Sequence, residues 1–485
     1  MTQIKDKYII IIVLFFYTLL GLIHSNNQGF WHDEIYTLTF LKGISAYTFE
    51  GNTLSEYTDE LPVYYCKQIL DTDNFIQNFP RQIIHEGHPP LYFILLKGWS
   101  NIFGYSELAL RSFSLVSGLF SIMVLFGLIK RYFKNRNAIW IILLILFNPF
   151  LFYYFTEARM YALAFFLATL CFKYWLKFKE QKEWKSYDSL WFTLSALALL
   201  FTHYYGLFFL LSLGFYDILK NGFTFRLISY SIPIIIFSPW IFIIRLQTEI
   251  HNIHWTDESL SFVNSSMGFG KGLISLFFSP MSDSQNYENL FAIIVGIIII
   301  GYISSKWKYR LQNILVFVVY FSLIYTFDLI LNNHTIIVSR YYIFILIIFY
   351  WGIVKAIDNA PQKIGLSFII IYFILGGLAI YKIYSRSLAP KQMFKELANY
   401  IDAKHNAENT LIVVEPGGPM IWGLALYLNK DFSIISAENF KSIHTTKKVI
   451  FIDEMLGVKY NENLLNTEDQ NKLNFVPFVG LFLYE

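Results

Sequence analysis

Long apolar runs alternate along the chain with short polar connections. Runs close to the ~20 residues that a helix needs to cross a bilayer fall at 8–24, 107–129, 138–155, 160–176, 187–202, 204–219, 227–246, 289–305, 312–331, 336–354 and 364–384. The stretch Ser189 to Leu219 is too long for one crossing and breaks at "THYYG", so it predicts two helices turning at His203. Alternating strands of barrel type are missing, and helices are the other way to satisfy backbone polar groups in lipid. The pattern predicts an α-helical polytopic membrane protein with about eleven transmembrane helices.

Charge in the connections sets the threading, because short cytoplasmic loops carry an excess of Lys and Arg. "KRYFKNR" (130–136), "KFKEQKEWK" (177–185), 220–226, "KWKYR" (306–310) and 355–363 are all basic and alternate correctly. Residues 25–106 carry nine acids (Asp33, Glu34, Glu50, Glu56, Asp59, Glu60, Asp71, Asp73, Glu86) against four bases (Lys42, Lys67, Arg81, Lys97) and are assigned outside. Counting "PPLYFILLKGWSNIF", Pro89 to Phe103, as a span would reverse that order. It is short, contains Lys97, and reads as a helix lying on the outer leaflet, started by its proline pair. The first outer loop thus holds interfacial helices, and "KGLISLFF" (271–278) reads as another. The N-terminus is expected in the cytoplasm. The first run lacks a small-x-small cleavage site and is read as an uncleaved helix.

After Tyr384 the pattern changes. "KQMFKELANYIDAKH" puts Phe394, Leu397, Ala398 and Ile401 on one helical face. "TLIVV", "FSII" and "KKVIFI" read as strands, with "PMIWGLALYL" a helix between the first two. The chain therefore divides into a membrane domain, 1–384, and a small soluble α/β domain, 385–485, on the outer face. "EPGGP" lacks P-loop spacing and reads as a turn.

Composition agrees with the membrane reading: 55% of residues are hydrophobic and 15% charged, against roughly 25% charged in soluble domains. A net charge of +3 with no basic stripe gives no reason to expect nucleic acid. Cys66 and Cys171 form neither a metal spacing nor a disulfide framework and are expected to be free. No cofactor or metal is called for.

What remains is a set of ionisable residues at the predicted outer mouths. These are Asp33 and Glu34 after the first span, His85, Glu86 and His88 in "HEGHPP", and Glu157, Arg159 and Tyr161 in "TEARMY". His203, Tyr204 and Tyr205 follow in "THYYG", then His334, Arg340 and Tyr341 in "NNHTIIVSRYY", with Arg340 a turn inside its span. Charges at membrane depth are costly and usually line a cavity or pathway, so their shared side suggests one site. Carboxylate, His, Arg and Tyr suit an amphiphile with an anionic head, such as a sugar on a polyprenyl phosphate. One carboxylate can take the proton of an acceptor hydroxyl. The leaving phosphate needs only cations and donors to hold its charge, unlike the spaced carboxyl pair of glycosidases. Tyrosines and tryptophans can stack on the sugar.

"WHDEIYTL", "HPPLYFILLKGW", "TEARMYAL", "THYYGLF" and "SRYY", in that order, resemble the landmarks of glycosyltransferase family 39 in the GT-C superfamily. That family includes protein O-mannosyltransferases and the lipid A aminoarabinose transferase. The resemblance covers most of residues 1–350 and implies a GT-C fold and a polyprenyl- or dolichyl-phosphate sugar donor. It also implies a catalytic base at Asp33, the Asp of the first outer loop. Glu34, His88, Glu157, Arg159, His203, Tyr204, Arg340 and Tyr341 are then candidate substrate-binding residues. The compact tail and the lack of a large inserted domain resemble bacterial members, which points to the plasma membrane of a bacterial envelope and a hydroxyl acceptor of open class.

Each residue also has a plainer reading. Asp33 could be a helix cap. Glu34 points about 100° away from Asp33 on a helix and suits structural support or sugar binding. Glu157 and Arg159 could pair with each other, Arg340 could snorkel, and His203 could be an ordinary turn histidine. Lys271 is a weaker phosphate candidate, and Asn264 and Asn333 begin glycosylation triplets. For the whole chain the alternatives are a lipid-linked sugar transporter or flippase, an oligosaccharide polymerase or ligase, and a non-catalytic scaffold. A transporter would place ionisable groups at mid-membrane and show paired halves.

Overall fold

The structure is a computed structural model. It describes residues 2–44, 48–49, 52–53, 60–133, 138–180, 187–250, 262–278, 307–331, 335–359, 362–385, 394–415, 417–440, 445–453, 475–478 and 481–484. Expectations for the span 289–305 and for Asn333 and His334 lie outside these residues, as does the side chain of Asn264. The chain forms two compact units: Met1–Ile23 with Glu86–Ile94 and Arg111–Ala389, and His24–His85 with Leu95–Leu110 and Pro390–Glu485.

The first unit is helical. Among the described residues five helices are long and apolar enough to cross a membrane: Ile10–Asn27, Glu107–Tyr132, Phe225–Glu249, Asn313–Ile330 and Gly365–Tyr384. Tyr187–Leu200 and Leu346–Lys355 are shorter apolar helices, and "THYYG" separates Tyr187–Leu200 from Gly206–Asn221 as the split predicts. Two expected spans are broken by local chemistry. The run 138–155 divides into Ala138–Leu146 and Pro149–Phe155. There the Asn148 Oδ1 accepts the Leu151 N–H at 2.8 Å, and proline takes the first helical position, where its missing N–H costs nothing. The Asn148 Nδ2 donates to the Leu276 carbonyl at 2.9 Å. "KGLISLFF" forms the end of a longer helix, Phe262–Phe278.

The run 336–354 is the second broken span. It opens with two 3₁₀ turns, Thr335–Ile337 and Ser339–Tyr342, and the helix begins only at Leu346. Asp328, near the end of Trp307–Leu331, accepts from Thr335 Oγ1 at 2.5 Å and from the Ile336 N–H at 2.7 Å. These two bonds turn the chain, so Arg340 lies in a tight turn instead of inside a span.

The second unit holds a two-residue hairpin, β1 (Thr48–Phe49) with β2 (Asn52–Thr53), and a six-stranded sheet. The sheet strands are β3 (Leu61–Pro62), β4 (Thr410–Glu415), β5 (Ser433–Ser436), β6 (Lys448–Asp453), β7 (Phe475–Phe478) and β8 (Leu481–Tyr484), in the order β3-β5-β4-β6-β8-β7. The strands β5, β4 and β6 are parallel and the other pairings antiparallel. Parallel strands buried on both faces read as unbroken apolar runs, which is what "TLIVV" and "KKVIFI" display. The helix Gly417–Tyr427 makes the β4–β5 crossover, and Phe394, Leu397, Ala398 and Ile401 are buried on Phe394–Lys404 as their spacing predicts.

A strand from the first loop, β3, completes the sheet edge, with Leu61 opposite Ile434. The unit that holds the sheet therefore takes in much of the first loop, whereas the sequence reading divides the chain at 384/385. In that loop Leu91–Phe103 is a thirteen-residue helix following the proline pair. Its Lys97 is buried and donates to the Leu41 carbonyl at 3.1 Å and to both Asp73 carboxylate oxygens at 2.7 Å. The lysine that argues against a span in the sequence thus fastens this segment to two neighbouring ones.

Candidate active site

Asp33 lies in the second unit, in the first turn of the helix His32–Lys42. Trp31 is the extended residue that starts the helix, and its carbonyl accepts the Glu34 and Ile35 N–H groups at 2.9 Å each. Asp33 is therefore not the N-cap. Its carboxyl sits at N2 and is half-buried. Glu34, at N3, is fully buried and accepts the Trp31 N–H at 3.3 Å. That is the reciprocal bond of a capping box and agrees with structural support for Glu34. At the other end Gly43, at φ 73°, closes the helix, donating to the Phe40 carbonyl at 3.1 Å.

The first unit gathers the other candidates at four turns. The Glu86 Oε1 lies 2.6 Å from the His88 Nδ1. Arg159, in the turn between Pro149–Phe155 and Tyr161–Glu180, has Nη2 3.5 Å from the His88 Nδ1 and 4.0 Å from the Glu86 Oε1. The His203 ring is 5.7 Å from His88, 5.8 Å from Tyr161, 5.6 Å from Tyr341 and 5.3 Å from Phe344, between centroids. Tyr205 and Tyr341 stack at 4.4 Å, and the Arg340 guanidinium is 5.9 Å from the Tyr341 ring. The Tyr320 hydroxyl donates to the Tyr341 carbonyl at 2.6 Å and holds that turn.

The two histidines are differently prepared. The Tyr205 N–H donates to the His203 Nδ1 at 3.2 Å, so the neutral ring carries its proton on Nε2. Burial holds the His203 pKa well below the usual range, and His88, Arg340 and Arg159 lower it further. Its Nε2 is buried without a hydrogen-bond partner among the described residues. The ring is thus a neutral donor fixed in place. His88 is also lowered by burial; Glu86 opposes that shift, while Arg159 and Arg340 reinforce it. With Glu86 ionised, the His88 Nδ1 must carry the proton. Two cations and a fixed Nε2–H beside tyrosine rings are a set that can bind an anionic group.

Among the sequence candidates, His88, Arg159, His203, Arg340 and Tyr341 thus belong to one neighbourhood, with Glu86, Tyr161 and Tyr205. Glu157 is buried in the same turn as Arg159, its carbonyl accepting the Arg159 N–H at 2.8 Å. The Tyr204 hydroxyl is committed elsewhere, donating to the Gln247 Oε1 at 2.6 Å and accepting from the Trp240 Nε1 at 3.1 Å. Lys271 is exposed. Asp328 was missed, although a lone acid at the end of an apolar helix is the signal that picked out the others. Among the described residues no group of three or more His, Cys, Asp or Glu side chains is arranged to hold a metal. Cys66 and Cys171 are free and buried.

Residues 87–243 match the family model described as dolichyl-phosphate-mannose-protein mannosyltransferase. That stretch holds His88, Glu157, Arg159 and His203. Among solved structures, ArnT from Cupriavidus metallidurans bound to undecaprenyl phosphate is similar over 98% of this chain and 97% of its own, at 12% identity and a TM-score of 0.56. The Archaeoglobus fulgidus oligosaccharyltransferase, tethered with an acceptor peptide, matches 87% of this chain and 63% of its own at 12% identity. Its TM-score of 0.46 is too weak to bear on the fold. A search of curated proteins found no match. The family model agrees with the ordered motifs over residues 87–243, and the likeness to the ArnT fold extends over nearly the whole chain, so in these motifs and in this fold the chain is similar to membrane glycosyltransferases of the family 39 kind.

Proposed function

We propose that the protein transfers a sugar from a polyprenyl-phosphate donor to a hydroxyl acceptor, with inversion, at the outer face of the membrane. The observation that carries the reading is His203: a buried, neutral ring with its Nε2–H preset by the Tyr205 backbone, in the neighbourhood of Arg159 and Arg340. A buried donor with no partner among the described residues, set among cations, suits a phosphate. ArnT, whose fold the chain shares, was solved with undecaprenyl phosphate. A lipid phosphate of that class is the carrier assigned here.

In this reading the acceptor hydroxyl gives its proton to the Asp33 carboxylate as its oxygen attacks the anomeric carbon. The bond from that carbon to the phosphate oxygen breaks, and its electron pair leaves with the polyprenyl phosphate. Arg159, Arg340 and the His203 Nε2–H hold the departing charge, and Tyr161, Tyr205 and Tyr341 offer faces to the sugar. The reading also takes about eleven spans, with a cytoplasmic N-terminus and with the first loop and the tail, including its sheet, outside. The acceptor is a hydroxyl of an envelope lipid, glycan or protein.

The test is transfer in liposomes from a panel of labelled undecaprenyl-phosphate monosaccharides to envelope extracts. Asp33→Asn abolishes transfer while leaving undecaprenyl-phosphate binding intact; near-normal turnover in that variant removes Asp33 from the role. Cysteines introduced into the first loop are labelled from outside intact cells, and labelling only after lysis reverses the topology.

A further inference from the structure

The tail reaches the backbone that leads into the Asp33 helix. Tyr427 ends the helix Gly417–Tyr427. Its hydroxyl accepts the Phe30 N–H at 2.6 Å and donates to the Glu107 Oε1 at 2.8 Å. Both partners lie in the same compact unit as Asp33, and Phe30 is three residues before it. Phe30 and Trp31 are buried.

The approach leaves no room at Gly29. A Cβ there would stand 2.8 Å from the Lys395 Cβ and 3.3 Å from the Tyr427 ring and hydroxyl. The chain therefore passes between two tail residues just before Trp31 starts the helix. The helix Gly417–Tyr427 also packs on His32–Lys42 and on Val63–Leu70. Glu60 pairs with Lys447, which begins the turn into β6. The loop is thus held by the tail at an edge strand, a helix face and one bridging hydroxyl.

We propose that Tyr427 is a positioning residue: its hydroxyl fixes the Gly29–Trp31 backbone and thereby the place at which Asp33 meets the acceptor. The proposal rests on the reading of Asp33 as the base. It gives the tail a role in turnover, because an attacking oxygen must be placed within a fraction of an ångström of its base for efficient transfer. The residue touches no substrate. Its effect falls on the chemical step and leaves donor binding alone.

Tyr427→Phe keeps the ring and removes both hydrogen bonds. The experiment compares wild type, Tyr427→Phe, Glu107→Ala and Asp33→Asn, each as full-length protein in liposomes, with undecaprenyl-phosphate hexoses as donors. Hydrogen exchange is followed on the peptide spanning 28–36. The expected result for Tyr427→Phe is faster exchange in that peptide with unchanged exchange over 410–415. Its kcat falls roughly two- to tenfold, the share of one modest hydrogen bond, at unchanged donor KM. Glu107→Ala gives a smaller change of the same sign. Unaltered exchange, unaltered kcat, or a rise in donor KM alone overturns the proposal. If Asp33→Asn keeps its turnover, the reading of the base has failed, and that outcome is separate from a failure of Tyr427 to matter.

Discussion

His203 offers the sharpest perturbation of the anion-binding reading. His203→Phe preserves a ring among Tyr161, Tyr341 and Phe344 but removes the Nε2–H. A hydrogen bond from a neutral donor to a charged acceptor contributes about 1.5–3 kcal/mol, which predicts a loss in affinity for undecaprenyl phosphate of roughly ten- to a hundredfold. The variant also forfeits the acceptor for the Tyr205 N–H, a separate stability cost of about 1 kcal/mol. His203→Gln, which carries both an acceptor and a donor, recovers part of each. The assay is calorimetric titration of the full-length protein in nanodiscs with undecaprenyl phosphate. Wild-type affinity in both variants would refute the assignment.

The same ring predicts a pH signature. Its folded pKa is lowered, first by burial and then by the surrounding positive charge. In the ligand-free protein the stability tied to the neutral ring is therefore complete above the unfolded value, about 6.5. It is lost as pH falls through that value toward the lowered folded one, because the unfolded chain then binds a proton that the fold refuses. The quantity to read is the difference in stability between ligand-free wild type and His203→Phe across about pH 8 to 5, which narrows as pH falls because only the wild type carries the ring that must stay neutral. Parallel stability curves would show that His203 is not held as a buried neutral ring.

Arg340→Ala weakens undecaprenyl-phosphate binding without altering the helix content of the protein, and unchanged affinity in the same titration would release Arg340 from the role. Gly43→Ala forces a side chain into a left-handed position and puts its Cβ 2.2 Å from the Asn74 carbonyl carbon; a cost of about 2 kcal/mol or more is expected in thermal unfolding. Lys97→Met costs only about 1 kcal/mol, because Asp73 keeps 50% of its side chain in water. Burial raises the Asp73 carboxyl, but the bond and charge of Lys97 outweigh it and hold the carboxyl below its usual value. That contribution is complete above about pH 4 and vanishes as pH falls through the lowered value, so the gap between wild type and Lys97→Met closes in acid. Burial pushes the Cys66 thiol up to about 12, and a maleimide at pH 8 should leave it unmodified until the protein unfolds.

The features legible in the sequence are those written in local periodicity and in motif order. The apolar runs marked the long helices, the split at "THYYG" fell where the chain turns, and the tail helix placed Phe394, Leu397, Ala398 and Ile401 inside. Single polar residues carried what the hydropathy window averaged away. Asn148 ends one helix and starts another inside a run that reads as one span. Asp328 draws two donors from 335–336 and turns Arg340 out of its helix. Neither effect has a period, so no window detects it.

Long-range pairing was hidden for a different reason. Leu61 and Pro62 form a two-residue strand whose partner lies some 370 positions later, and nothing near "LPV" signals an edge strand. Tyr427 was no more visible, since it reads as one residue of an apolar helix until its hydroxyl is seen between Phe30 and Glu107. Such contacts explain how a half-buried carboxyl in a long loop can be held in one place. The helix His32–Lys42 has only 11 residues, too few to be stable alone in water. Its place must come from what packs on it. If so, shortening the tail should cost turnover through the 28–36 backbone before it costs the folding of the helical unit. A truncation before β4 that kept full transfer would show that the first loop holds Asp33 without help.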